Sequence, residues 1–269
     1  MKINQHKKLQ STIKKISFIG SGNVATHLAK AFSKKGIVIQ QIYSQTCDNS
    51  EILAWQANSI YICDLDELNL DVDLLIFAVK DDVIKTLSQY ILQKKPEMKM
   101  VHTSGSVGLD VFDNAANTGI LYPLQSFSKT KKIDISEVPF LITSHNELFK
   151  RELMELAMLL SSKVYEYTDE QRKHLHIAAV FVNNFSNHLF AIAQDYCEKH
   201  QLDYQLLMPL IHETIHKIDT ILPKDAQTGP AKRNDKEIIE KHLSQLKAED
   251  EHLYKIYSLL TDSILKMYK

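Results

Sequence analysis

From Ile13 onward, short apolar runs alternate with amphipathic stretches: ISFIG, IVIQQIY, SIYIC, DLLIFAV, MKMVHT, GILY, VPFLIT and KVYEY. Runs of this length, separated by helical patterns and turn residues, read as strands joined by crossover helices. Between the first two runs, Val24, Leu28, Ala31 and Phe32 fall at i, i+4, i+7 and i+8, and Gly36 sits where a left-handed C-cap belongs. That spacing predicts one helix connecting two parallel strands. Near Thr168 the pattern changes. Residues 169–200 contain neither Gly nor Pro, and Leu175, Ala179, Val182, Phe185, Leu189 and Ile192 recur at helical spacing. A second helix is expected over 204–222, a polar break over 223–234, and two further helices from 235 to the end. Asn234 with Glu237 three places later reads as a capping box for the first of these. The expected fold is therefore α/β plus all-α: a mostly parallel sheet domain over 13–167, then a helical domain over 168–269, with residues 1–12 as a solvated tail. No internal repeat or low-complexity segment interrupts this plan.

Composition narrows the function classes. The chain has 269 residues, 44% hydrophobic and 24% charged, enough apolar content for real cores. Lys plus Arg number 32 against 33 Asp plus Glu, a net charge of -1, so no global field gathers nucleic acid or coats an anionic membrane. Basic pairs such as Lys34-Lys35, Lys94-Lys95 and Lys131-Lys132 lack interleaved aromatics, and no nucleic-acid partner is expected. Cys47, Cys63 and Cys197 make an odd count without CxxC spacing, which argues against a disulfide framework and a cysteine-based zinc site and fits a reducing cytosol. The longest apolar stretches stop far short of a bilayer span, and the first residues lack the apolar block of a signal peptide. A cytoplasmic protein without membrane contact is the expectation.

The chemistry begins at the end of the first run. Gly20-Ser21-Gly22-Asn23-Val24-Ala25 is a GxGxxA turn between an expected strand and an expected helix. Gly20 permits the sharp turn, Gly22 leaves room for a pyrophosphate against the backbone, and Ala25 lets the helix lie close to the sheet. Unpaired N–H groups and the positive end of the helix dipole then face the phosphates. In an NAD site an acidic side chain stands about 20 residues further on, at the end of the second strand. Here the sequence reads Tyr43-Ser44-Gln45-Thr46. Without a carboxylate to repel a 2′-phosphate, and with Ser44, Gln45 and Thr46 as neutral donors, NADP is favoured over NAD. Ligands of an open parallel sheet collect outside the carboxyl ends of its strands. Val79-Lys80-Asp81, His102-Thr103-Ser104-Gly105-Ser106 and Tyr122-Pro123-Leu124-Gln125-Ser126 follow the later runs there. The expected cofactor residues are Gly20, Ser21, Gly22, Asn23, Val24, Ser44, Gln45, Thr46, Val79 and Lys80.

These motifs resemble the 6-phosphogluconate-dehydrogenase-like superfamily, in which a Rossmann domain precedes a helical domain opening with a long helix. Pyrroline-5-carboxylate reductase and ketopantoate reductase are relatives in that sense. The chain is most similar to the family joining a Rossmann-like domain to a C-terminal domain of unknown function 2520, whose members are described as NADP oxidoreductases. GSGNVA (20–25), AVKDDVI (78–84), HTSGS (102–106), YPLQSFS (122–128), HIAAVFVNNF (176–185) and TGPAKRND (228–235) carry the resemblance, which spans nearly the whole chain. It implies the fold and an NADP cofactor. Two departures stand out. The family commonly has Ser-Arg-Thr after the second strand, where this chain has Ser44-Gln45-Thr46. Hydroxyacid dehydrogenases of the superfamily use a Lys and an Asn one turn apart on the long helix, yet Ala179 and Val180 precede Asn183 and Asn184 by one turn.

On the same helix His176 lies seven residues before Asn183 and eight before Asn184, a spacing that lets the side chains share a face. Imidazole titrates near neutral pH, so His176 is the candidate proton donor to a reduced carbonyl or imine. Asn184 is the candidate substrate-orienting group, and Ser104, at a strand's carboxyl end, is the third catalytic candidate. The loop 228–235 offers Arg233 to a substrate carboxylate. The expected activity is hydride transfer between NADP(H) and a small carbonyl, imine or hydroxy compound, in a crevice between the domains. The apolar long helix points to a homodimer.

Two other readings compete. Without the usual lysine, the chain is also readable as a sensor that binds NADP without turnover. His212-Glu213-Thr214-Ile215-His216 spells HExxH on an expected helix, the zinc-hydrolase signature, with Glu237 or Glu240 downstream as third ligand. The Gly and third His of the extended motif are absent, and Leu207, Ile211, Ile215, Ile218 and Leu222 make this an ordinary packing helix. No metal is therefore expected.

Overall fold

The computed structural model describes residues 11–268. All eight apolar runs form strands: β1 (Lys15–Ile19), β2 (Val38–Tyr43), β3 (Ile60–Ile62), β4 (Leu74–Phe77), β5 (Met100–His102), β6 (Thr118–Pro123), β7 (Phe140–Thr143) and β8 (Val164–Glu166). They make one sheet in the order β3-β2-β1-β4-β5-β6-β7-β8, parallel throughout except where β7 pairs antiparallel with β6. The order reverses between β1 and β4, the switch point at which open sheets of this type bind ligands.

The period-2 alternation of the strands sends side chains to two cores. Phe18, Leu74, Ile76, Val101, Leu121, Phe140 and Ile142 pack on one face, with Leu28 and Phe32 of α1 (Asn23–Lys34), Leu53 of α2 (Cys47–Ala57) and Leu153 of α4 (Glu147–Met158). Ile19, Leu75, Phe77, Met100, Ile120 and Leu141 pack on the other, with Ile84 and Ile91 of α3 (Asp81–Lys94). The helix expected after β1 ends as its sequence requires, with Gly36 at φ 82° and its N–H donated to Ser33 O.

The long helix from 169 is present but not uniform. It comprises α5 (Asp169–Ala179), a π-helical stretch Val180–Phe185, and α6 (Ser186–Lys199). A Thr168–Gln171 capping box starts it. The second expected helix is shorter than its pattern: α7 (Met208–Lys217) follows a 3₁₀ turn Tyr204–Leu207. Two single-turn helices, α8 (Pro223–Ala226) and α9 (Pro230–Arg233), occupy the polar break, and α10 (Lys236–Glu249) and α11 (Glu251–Met267) complete the chain. The cap of α10 differs from expectation. Asn234 sits at φ 54° as the left-handed end of α9, and Asp235 is the N-cap, accepting from Ile238 N at 3.5 Å. The extra turn of α9 consumes Asn234 and shifts the cap by one residue.

Strand gives way to helix at 167–168, whereas the compact units are 1–188 and 189–269, dividing within α6. Residues 1–10 of the expected tail lie outside the described residues; Ser11, near its end, is buried and accepts from Ile13 N at 3.1 Å.

The cysteines also differ from expectation, because Cys47 and Cys63 form a disulfide. Tyr43 pairs with Ile62 across β2 and β3, so the first residue of α2 and the residue after β3 emerge side by side, Cα atoms 5.4 Å apart. An odd count speaks against a framework but not against one pair plus the buried free thiol of Cys197. The cysteine argument for a reducing compartment therefore lapses. Among the described residues, no helix is long and apolar enough to cross a membrane.

Candidate active site

The glycine turn is built as its residue types require. Gly20 adopts φ 110°, and a Cβ there would meet Ala78 O at 2.3 Å and Val79 Cγ1 at 2.8 Å. No side chain with an ordinary backbone preference fits that position. Gly22 is the extended N-cap of α1, and its Cβ would meet nothing closer than Ala78 O at 3.9 Å. The space beside Gly22 is open, and no side chain caps the first amides of α1. An exposed set of helix-N-terminal amides beside an empty backbone cradle is what a dinucleotide diphosphate requires. Ser21 is buried under the turn, Gly22 and Asn23 are exposed, and Val24 is half-buried. Val79 abuts Gly20 from the adjoining strand end, and Lys80 is the exposed N-cap of α3. After β2, Ser44 is half-buried and Gln45 and Thr46 are exposed. These residues all stand at the carboxyl edge of β1, β2 and β4.

The catalytic candidates separate. His176, Asn183 and Asn184 line one cavity of about 560 Å³, together with Tyr122, Gln125 and Ser126 from the end of β6. That volume suits a small ligand. The Tyr122 hydroxyl and His176 Nδ1 are 2.9 Å apart. Burial raises the Tyr122 pKa, against a smaller opposing effect of the Arg172 charge, so the phenol stays protonated. A neutral imidazole accepting that proton at Nδ1 carries its own on Nε2.

Ser104 does not join this cavity lining. Its Oγ accepts from Ser106 N and Val107 N, each at 3.1 Å, and lies 3.3 Å from Ser106 Oγ. Ser106 Oγ in turn donates to Asp81 Oδ2 at 2.7 Å. Both lone pairs and the proton of Ser104 are thus engaged within its own turn.

Two residues organise the site, one that sequence reasoning passed over and one that it placed at the strand ends without a role. Arg172 is completely buried. It donates to the carbonyls of Ser104 (3.0 Å), Gly105 and Val107, and to Asp169 Oδ1 at 2.9 Å. Burial pushes the Asp169 carboxyl up, but the bonds from Arg172 and the Leu109 amide outweigh it and leave the pKa lowered. Arg172 therefore pins the loop after β5 to the start of α5. One turn later on the same face stands His176, and a Cβ on Gly105 would come within 2.2 Å of its Nδ1. Gly105 is what lets the imidazole lie against the loop. The second is Tyr122, expected at the strand ends but not as the partner of His176. The i, i+4 pairing of Arg172 with His176, and a tyrosine ending a strand at the same edge, were the available signals.

Elsewhere, the rings of His212 and His216 lie 6.3 Å apart and Glu213 pairs with Lys217 at 3.7 Å. Among the described residues, no group of three His, Cys, Asp or Glu is placed to hold a metal. Arg233 is exposed at the end of α9.

Comparison with known proteins agrees with this architecture. Residues 1–126 match the model of a Rossmann-like domain and residues 138–264 that of domain of unknown function 2520. Among solved structures, the "putative NADP oxidoreductase" of Bacteroides fragilis is 40% identical with a TM-score of 0.88, covering 94% of this chain and 98% of its own. Protein TM1727 of Thermotoga maritima is 20% identical, TM-score 0.68, covering 93% and 98%. The pyrroline carboxylate reductase of Plasmodium falciparum, solved with NADP bound, is 13% identical, TM-score 0.59, covering 97% and 100%. The last two share the fold. Among curated proteins no match is found.

Proposed function

The chain belongs to the family that joins a Rossmann-like domain to domain of unknown function 2520, and from that premise we propose that it is an NADP(H)-dependent oxidoreductase acting on a small carbonyl, imine or hydroxy compound. The observation that carries this reading is the glycine turn: an open backbone cradle at Gly22 facing uncapped amides at the switch point of a parallel sheet. A bound nicotinamide nucleotide would supply the hydride chemistry. The chain would contribute position and a proton. Gly20, Ser21, Gly22, Asn23 and Val24 hold the diphosphate, Val79 and Lys80 flank it, and Ser44, Gln45 and Thr46 meet the adenosine ribose. In the reductive direction His176 delivers a proton to the substrate oxygen or nitrogen and is resupplied through Tyr122, while Asn183 and Asn184 orient the substrate by hydrogen bonds. Ser104 serves as a positioning residue for the loop against which His176 rests.

On this reading residues 13–167 bind the nucleotide and residues 168–269 contribute substrate and subunit contacts. A homodimer is part of the proposal, supported by Phe181, Val182 and Phe185, apolar side chains at least half exposed on the long helix. The cytoplasm, which holds the nucleotide pool, is the proposed location.

Thermal unfolding in the presence of NADP+, NADPH, NAD+ and NADH tests the assignment, because a ligand that binds only the folded state raises the midpoint. The largest rise is expected with a phosphorylated dinucleotide, and Gly22→Val should cancel it by filling the cradle. No response to any of the four would remove the reading.

A further inference from the structure

We propose that Lys129, on the loop following β6, supplies the cation that recognises the 2′-phosphate of NADP(H), a task Gln45 cannot perform; the inference rests on the cofactor reading above.

A phosphomonoester carries roughly 1.5 to 2 negative charges at neutral pH, and cationic donors hold it far better than neutral amides or hydroxyls. The residues after β2 provide only neutral donors, with Ser44 Oγ already accepting from Thr46 N at 3.3 Å. The helix they lead into adds a charge of the wrong sign, since Asp48 stands in the first turn of α2. Recognition of a 2′-phosphate at this turn therefore needs a cation from elsewhere in the chain.

The fold brings one. Lys129 Nζ donates to Asn49 Oδ1 at 3.2 Å, across 80 residues of sequence, and Asn49 lies in the first turn of α2, three residues past Thr46. The loop that presents Lys129 is anchored immediately before it. Phe127 packs on the His27 ring of α1 with centroids 5.0 Å apart, and His27 Nε2 is 2.9 Å from Ser128 O. The lysine thus springs from a held backbone and needs only its own side-chain torsions to reach the turn. Its present partner is a neutral amide oxygen, a weaker acceptor than a phosphate oxygen, so exchange of one for the other favours the ligand. Lys131 and Lys132 lie on the same loop, but among the described residues only Lys129 of the three makes a side-chain hydrogen bond to α2.

Dissociation constants measured by titration calorimetry decide the matter. NADP+ and adenosine 2′,5′-bisphosphate are compared with NAD+ and adenosine 5′-monophosphate, on the wild type, Lys129→Ala, Lys129→Arg and Lys132→Ala. Lys129→Ala is expected to weaken the two 2′-phosphorylated ligands about tenfold while leaving the other two within about twofold. Lys129→Arg and Lys132→Ala should stay near wild type, and adding Gln45→Arg to Lys129→Ala should restore the preference. Unchanged NADP+ binding in Lys129→Ala, or equal weakening of all four ligands, overturns the role of Lys129 while the cofactor reading stands. A wild type that binds neither dinucleotide, or prefers NAD+, overturns the NADP reading itself.

Discussion

His102 shows how far one buried side chain couples this fold to pH. It ends β5 fully buried, its Nδ1 accepts from Ser104 N at 3.2 Å, and its Nε2 has no partner among the described residues. Burial, with the Arg172 charge adding to it, lowers its pKa from 6.5 to about 4. A base depressed in this way favours the folded state above its unfolded pKa. That contribution is lost as pH falls from about 6.5 to about 4, because the unfolded chain takes up the proton first. The full loss amounts to about 3 kcal/mol. Urea unfolding followed across this window should show stability falling toward acid, and His102→Asn, which keeps an acceptor for Ser104 N but binds no proton, should flatten the slope. An unaltered slope would assign the acid sensitivity to other groups. At this scale the glycine turn was legible in the sequence, because Gly20 and Gly22 answer to local backbone geometry. The burial of His102 and the partnership of Tyr122 with His176 were not, since each depends on what packs from another element.

The first turns of α5 act as a clamp. Arg172 satisfies three carbonyls of the loop after β5 and closes on Asp169, whose other oxygen accepts from Leu109 N at 2.9 Å. Arg172→Met removes the charge with similar bulk, leaving those carbonyls and Asp169 Oδ1 without their donor while Leu109 N still serves Oδ2. The expected cost is about 3–5 kcal/mol, read from the shift of the urea midpoint. A loss below about 1 kcal/mol would mean that the 104–107 turn holds itself through Ser104. Beyond the clamp, helical spacing predicts a continuous helix, but the chain takes π geometry at 180–185 around Asn183 and Asn184. Inserted turns of this kind often mark functional sites. They leave no periodic signature, because apolar spacing is read on the assumption of a constant turn.

For the molecule as a whole, Phe181, Val182 and Phe185 are 62%, 76% and 50% exposed, although the helical spacing marks Val182 and Phe185 as residues to bury. Light scattering coupled to size exclusion should therefore return twice the 30.9 kDa chain mass, and Val182→Asp should shift the population toward monomer. A monomeric wild type would withdraw the dimer. The eight strands, the glycine turn and the change to helix after residue 167 were readable along the chain because period-2 and helical patterns, glycine geometry and caps are local properties. Folding alone joined Cys47 to Cys63, Lys129 to Asn49 and Arg172 to the loop at 104–107. Those pairings lie 16, 80 and 68 residues apart, and separation of that size is spanned by sheet order and loop path, which no window of sequence contains.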